Sequence, residues 1–419
     1  MIKKLLILLC ILPVFANGQH DESYHQELKK LPPVNIRRIL LNSTSSVTPE
    51  NQNPEQRLDS VIFIGANGRN KKKIFEHDGN GKVIQRTDYD WDRTSQRWRE
   101  NSKYELSYNL QDQLSSTTLY QWNNQLNIWI KHQKNESAYH RNGHRVLSVD
   151  FVWDERINDW QNYSKQQIMN DINGEPVSEI QYRWDHLAKV WDEGDRKESA
   201  YDWMGNMTLE TSSRWDNQTN SRINKEKQQI AYGPHQYVTT DNYIWDKQLN
   251  TWIKDKSSKY LSDSKNNRAP VEISEGYSET GEWENRERYD FTFDTNGDIL
   301  TADGYQWDSQ SSSWTRFRQY NYQYDANKNL ISIENYVWDS NADEWRGFFK
   351  TTYAFDENDR KTQEVHYSWD DRNKSWTNGI KNEYTYTKSG NLLSDQFFQW
   401  DMNRWNVYST ETFYYQPES

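Results

Sequence analysis

Tryptophan returns along this chain on a ruler of 31 residues. Trp91, Trp122, Trp153, Trp184, Trp215, Trp245, Trp307, Trp338, Trp369 and Trp400 mark one series, in which one step is 30 and Gly276 holds the empty slot. Trp98, Trp129, Trp160, Trp191, Trp252, Trp283, Trp314, Trp345, Trp376 and Trp405 mark a second, with Arg222 in its empty slot and a last step of 29. Of 21 tryptophans, only Trp203 lies outside both series. A fixed period of this length means one supersecondary unit stacked many times.

Each unit reads as a hairpin. From Trp314 a run leads to Tyr322 and Tyr324, and Asp325-Ala-Asn-Lys-Asn329 has turn composition. Leu330 to Trp338 form a second run, and Asp339 to Glu344 lead into Trp345. The predicted fold is all-β: a long antiparallel meander of about eleven 31-residue, two-stranded repeats over residues 57–415. Strand twist of roughly 20–25° per neighbour accumulates past a full turn, so a coiled or spiral sheet is expected. Leu58 to Ile64 and Lys71 to His77 read as a degenerate hairpin capping the first unit.

Aromatics at even offsets, such as Trp314, Tyr322 and Tyr324, are expected on one strand face. Rows of indoles stacked from unit to unit are expected to form the spine, because the strand centres are polar. Lys103, Lys134, Lys165, Arg196, Lys227, Arg288, Lys350 and Lys381 form a basic column, placed by parity on the opposite face. Glu179, Glu210, Glu364 and Asp395 on the intervening strands are its expected partners. Ser213, Arg222, Ser274 and Gly276 break the columns; that stretch reads as drift, with a local groove as the alternative.

The ends carry other signals. Lys3 and Lys4, the apolar run Leu5 to Phe15 and small residues at Ala16 and Gly18 read as a secretory signal over residues 1–18. Residues 19–56, rich in Asn, Ser, Pro and Gln, read as a linker, and 416–419 as a tail. The expected location is therefore outside the cytoplasm: secreted, periplasmic or at the cell surface. Cys10 is the only cysteine, so loss of the signal leaves no thiol chemistry. The net charge of −11, or −13 once Lys3 and Lys4 leave (−11 minus 2), with no basic block, excludes phosphate-backbone binding. Mean hydropathy of −1.17 alone reads as disorder. The 15% aromatic content opposes that reading.

Tyr322-Gln-Tyr324-Asp325 with Asn329-Leu330 resembles the YD repeat of the Rhs family. Tyr384-Thr-Tyr386 with Gly390-Asn391-Leu392, Phe293-Asp294 with Gly297, and Tyr201-Asp202 with Gly205-Asn206 are similar. The resemblance implies a secreted bacterial β-repeat protein of Bacteroidota type, whose hairpins build long sheets. Tyr232-Gly-Pro-His and Asp263-Ser-Lys-Asn depart from the pattern, and the Tyr-x-Trp-Asp element and second tryptophan are additions to it.

Other motifs have plainer explanations. The Trp-Asp pairs lack the 40–45-residue spacing of propeller repeats. A 22-strand count matches outer-membrane barrels, but the basic column would lie near mid-bilayer, so no integral membrane association is expected. Asp78-Gly-Asn80-Gly81, Asp171-Ile-Asn173-Gly174 and Asp294-Thr-Asn296-Gly297 suit tight turns and lack the ligand run of a calcium loop. His140 and His144 flank a turn rather than a helix face. No cofactor or metal is expected, and no catalytic motif is present.

The chain therefore reads as a non-enzymatic, exported repeat protein presenting an extended β-surface to a glycan or protein partner. A structural spacer or shell in the envelope or matrix is the alternative, and an enzyme of polysaccharide breakdown is a third. Trp203, Arg222, Trp307, Trp314, Trp338, Trp345, Trp369 and Trp376 are the candidate ligand platform.

Overall fold

The computed structural model describes residues 57–216, 218–233, 237–261, 271–277 and 283–416. The expected signal and linker, the Asp263-Ser-Lys-Asn turn and residues 417–419 lie outside them. The described residues contain strands and turns, with no helix. The strands are β1 (Leu58–Gly65), β2 (Lys71–His77), β3 (Val83–Asp92), β4 (Arg97–Tyr108), β5 (Leu114–Asn123), β6 (Ile128–Tyr139), β7 (Arg145–Asp154) and β8 (Asp159–Asn170). Then come β9 (Pro176–Asp185), β10 (Val190–Tyr201), β11 (Met207–Asp216), β12 (Ser221–Tyr232), β13 (Tyr237–Asp246), β14 (Thr251–Leu261), β15 (Val271–Tyr277) and β16 (Trp283–Phe293). The last are β17 (Ile299–Asp308), β18 (Ser313–Tyr324), β19 (Leu330–Asp339), β20 (Glu344–Phe355), β21 (Lys361–Asp370), β22 (Ser375–Tyr386), β23 (Leu392–Asp401) and β24 (Arg404–Tyr415).

Every strand pairs antiparallel with its neighbours in sequence, as a meander requires. The expected open coil is corrected at the ends. β1 pairs with β24, with Val61 opposite Phe413 and Phe63 opposite Glu411, so the 24-stranded sheet closes. The starting hairpin is therefore the seam rather than a cap. Closure follows from accumulated twist, and it satisfies two edges of backbone donors and acceptors at once.

Two turns alternate around the rims. In the first, one carboxylate oxygen of an Asp accepts the N–H groups two and four residues on. Asp325 does so from Asn327 and Asn329, and Asp356 from Asn358 and Arg360. The residue three past the Asp takes positive φ, as Gly205, Gly297 and Lys328 do. This turn is the Tyr-Asp element, and it accounts for the calcium-like stretches. Backbone N–H donors, Asp298 first, hold the Asp294 carboxyl below its usual range although burial opposes them. The second turn follows Trp-Asp: Asp339 accepts from Asn341 and Ala342, and Asp343 has φ of 53°. The tyrosine before the first turn fastens it. Tyr108, Tyr139, Tyr386 and Tyr415 donate to the carbonyls of Val83, Leu114, Lys361 and Leu392, each the first residue of the preceding strand.

The parity expectation fails for a specific reason. Each second strand carries a β-bulge a few residues past its tryptophan. On β4, Glu100 faces Tyr89 and Ser102 faces Asp88, leaving Asn101 unpaired. On β18 the extra residue is Phe317 and on β20 it is Phe348. One inserted residue flips every later side chain to the other face. Tyr322 therefore lies opposite Ile333, on the face away from Trp314. The basic column moves the other way, onto the tryptophan face: Lys103 lies opposite Tyr120, and Lys381 opposite Phe398.

Burial is also redistributed. Tyr320, Ile333, Asn335 and Asn391 are the largest fully buried side chains, Ala302 is fully buried beside them, and Tyr289, Ile299 and Tyr322 are close behind. The expectation of polar strand centres thus fails from β16 onward, where the core lies mid-strand. The tryptophans of the two columns are only half-buried.

Candidate functional site

Each hairpin sets its two tryptophans directly opposite one another, as with Trp338 and Trp345. The rings meet edge to face, with centroids 5.0 Å apart in that pair, 5.1 Å in Trp307–Trp314 and 4.9 Å in Trp369–Trp376. Such pairs contribute about 0.5–1.5 kcal/mol beyond their burial. Between hairpins the expected indole-on-indole stacking is replaced by interposed cations. Lys165 Nζ sits 3.9 Å from the Tyr182 ring and 5.0 Å from Trp191. Lys227 repeats this on Tyr243 and Trp252, and Lys381 on Phe398 and Trp405. Burial among these rings lowers the Lys165 pKa.

The column's carboxylate partners mostly differ from those expected. Lys103, Lys134 and Lys381 bind Glu105, Glu136 and Glu383, two residues on along their own strands, and Lys350 binds Glu334 across the pair. Glu210 instead receives Lys197, Glu364 receives Lys361, Glu179 accepts from Gln166 and Asp395 from Asn382.

Six of the eight candidate platform residues are thus three half-buried edge-to-face pairs. Arg316 covers Trp338 at 4.8 Å, and Tyr336 packs on both Trp369 and Trp376. Arg222 stands opposite Trp215 with its guanidinium 5.9 Å from the ring, donates to Ser213 Oγ and pairs with Glu193. It replaces the missing indole with a cation. Trp203 is separate from all of these: it sits in the β10–β11 turn and is 91% exposed.

A cavity of about 480 Å³ lies over β9 to β14, and of the column breaks read above as drift only Ser213 lines it. Its floor is the face opposite the tryptophans. One row across the strands runs Glu179, Lys197, Ser212, Glu226 and Ile244. The next runs Glu210, Gln228, Asn242 and Lys256. The bulge residues Asp195, Lys225 and Asp255 add charge at its side. Lys197 lies 3.3 Å from Glu210, Lys225 lies 3.7 Å from Asp195, and Gln228 donates to Asn242 at 3.0 Å. The lining is thus mostly hydroxyl, amide and charge of both signs. Sequence reasoning missed it because these side chains reach one floor only after the bulges are counted. The broken column at Ser213 was the available signal.

A second polar cluster is closed to ligands. Thr351 Oγ1 meets His366 Nδ1 at 2.9 Å, His366 Nε2 meets Glu364 at 3.2 Å, and Lys361 holds Glu364 at 2.7 Å. Burial pushes the Glu364 carboxyl up, but His366 and Lys361 outweigh it and hold the group below its usual range. Thr351 is 3% exposed, so this cluster locks strands together. Among the described residues, no group of three or more His, Cys, Asp or Glu side chains is placed to hold a metal ion.

A model of a family of unknown function, DUF3836, matches residues 315–382. No curated protein matches the chain at a significant level. Among solved structures, a Bacteroides fragilis protein of unknown function is 19% identical, covering 30% of this chain and 90% of its own, with a TM-score of 0.26. A chain of the TcdB2-TccC3 crystal structure is 12% identical, covering 82% of this chain and 20% of its own, with a TM-score of 0.33. A porin-like protein from Bacteroides uniformis is 12% identical, covering 60% of this chain and 96% of its own, with a TM-score of 0.26.

Proposed function

We propose that this chain is an exported, non-enzymatic binding protein that holds a glycan in the polar cavity over β9 to β14. The cavity carries the reading. Its volume falls within the roughly 300–1,000 Å³ of small-ligand sites. Amides at Gln228 and Asn242, the hydroxyl of Ser212 and the Lys197–Glu210 pair offer donors and acceptors to sugar hydroxyls. Its lining carries five acidic and five basic side chains, a balance that suits a ligand without strong net charge. The tryptophan columns support the cavity as scaffold, since cations and neighbouring rings already occupy their faces.

The closed sheet leaves no free edge for strand addition, which weighs against a spacer assembled by edge pairing. Charged side chains occur mid-strand on both faces, Lys103 and Glu105 on one and Lys197 and Glu210 on the other, which weighs against a lipid-facing band.

Calorimetry against glycans selected on an array tests the reading. Replacing Gln228 and Asn242 together by Ala is expected to weaken binding by about tenfold, as loss of hydrogen bonds worth about 1.4 kcal/mol implies. An empty array, or affinity indifferent to both changes, refutes it.

A further inference from the structure

The first turn of each hairpin has one slot that its own chemistry does not use. The Asp or its substitute caps the turn, the third residue past it takes positive φ, and the residue immediately after the cap only points outward. From the β16–β17 turn onward that slot holds Thr295, Ala326, Glu357 and Lys388. In four consecutive hairpins between β4 and β11 it holds Leu110, Arg141, Ile172 and Trp203. Leu110 is 98% exposed, Ile172 100% and Trp203 91%, with Met204 beside it at 60%. Folding gives no reason for these residues at full exposure, since the same turn closes with small or polar residues elsewhere in the array.

We propose that this rim rests on a lipid bilayer surface. Adjacent hairpins lie two strands apart, roughly 10 Å, so the four tips form a row on the order of 30 Å long. The tips are separate and convex. A protein partner would need a pocket for each, whereas a fluid interface receives all of them without shape matching. An indole beside aliphatic groups suits the headgroup boundary. The charges agree as well. The carboxylates of Asp171 and Asp202 are turned inward onto backbone N–H groups, while Arg141 is exposed between the apolar tips to meet lipid phosphates. The opposite rim also exposes aliphatic groups, Leu126 at 62%, Ile157 at 56%, Leu187 at 97% and Leu249 at 68%, so the choice between rims rests on the indole of Trp203 and on the cation: the opposite rim has no aromatic tip there, and its Arg156 is held by Asp154.

The chain's single cysteine, Cys10, makes a local readout possible. In a Cys10→Ser background, an environment-sensitive dye is placed at Ile172→Cys and, separately, at Leu187→Cys on the opposite rim. Vesicles of phosphatidylethanolamine with phosphatidylglycerol are expected to shift the emission of the dye at 172 to the blue and leave that at 187 unchanged. Adding Leu110→Ser and Trp203→Ser is expected to raise the lipid concentration needed by about tenfold or more. Far-UV circular dichroism and melting confirm the fold, because these side chains contact no core. No shift at 172, an equal shift at both rims, or a shift indifferent to the two serines overturns the proposal.

Discussion

At the scale of single residues, the tryptophan face works by alternating rings and cations. In three units the position two past the second tryptophan, Lys131, Lys254 or Arg316, adds a further cation over the next hairpin's ring. Lys131 there lies 4.3 Å over Trp153, and Arg316 lies 4.8 Å over Trp338. Gly347 occupies the same position ahead of Trp369 and Trp376. A Cβ there would come within 2.8 Å of Trp376 and closer still to Trp369. With no side chain at 347, Tyr336 packs on that pair instead, 5.8 Å from Trp376. Gly347→Ala is therefore expected to destabilise the fold by about 1–3 kcal/mol through overpacking, despite the usual gain from replacing a strand glycine. Denaturant titration measures it, and a neutral or stabilising result would show that the pair shifts freely. The indole series was readable as spacing. The glycine's role was not, because it depends on which ring arrives from the neighbouring hairpin.

At the scale of the element, the two turns were readable and the strands between them were only half so. Asp325, Asp356 and their equivalents announce a turn through side-chain chemistry that acts within five residues. Asp325→Ala removes acceptors for two backbone N–H groups and for the Asn329 amide, 3.1 Å away. The expected cost is about 1–2 kcal/mol. Hydrogen exchange should show the loss as faster exchange at Asn327 and Asn329, with distant hairpins unchanged, as repeat stacking implies. The bulges escaped the sequence because a periodic pattern says how often a residue recurs, not how many backbone positions are paired between recurrences. Lys103 and Tyr322 changed faces for that single reason. The cavity followed from it too, since Lys197, Glu210 and Gln228 share a floor by bulge-corrected parity.

At the scale of the whole molecule, closure places charge in the seam. Burial pushes the Glu411 carboxyl up, with Lys73 opposing and Asp395 adding to the shift; burial raises Asp395 likewise. Folded protein therefore holds the Glu411 proton more tightly than unfolded protein. The group favours folding below the ordinary glutamate value of 4.5, and that contribution fades as pH rises through its folded value. Glu411→Gln removes this dependence. It is expected to raise the denaturation midpoint at neutral and alkaline pH and to match the parent in acid. A variant less stable than the parent at neutral pH would mean that attraction to the Lys73 charge outweighs burial.

The 31-residue recurrence determined the hairpin, its two turns and the meander, because each depends on contacts within one unit or between adjacent ones. The face each side chain occupies, the cavity over β9 to β14 and the joining of β1 to β24 were decided only in three dimensions. Bulges set the first two by shifting backbone pairing, which leaves no fixed residue signature. Twist summed over all the strands set the third, bringing Val61 to Phe413 across nearly the whole length of the array.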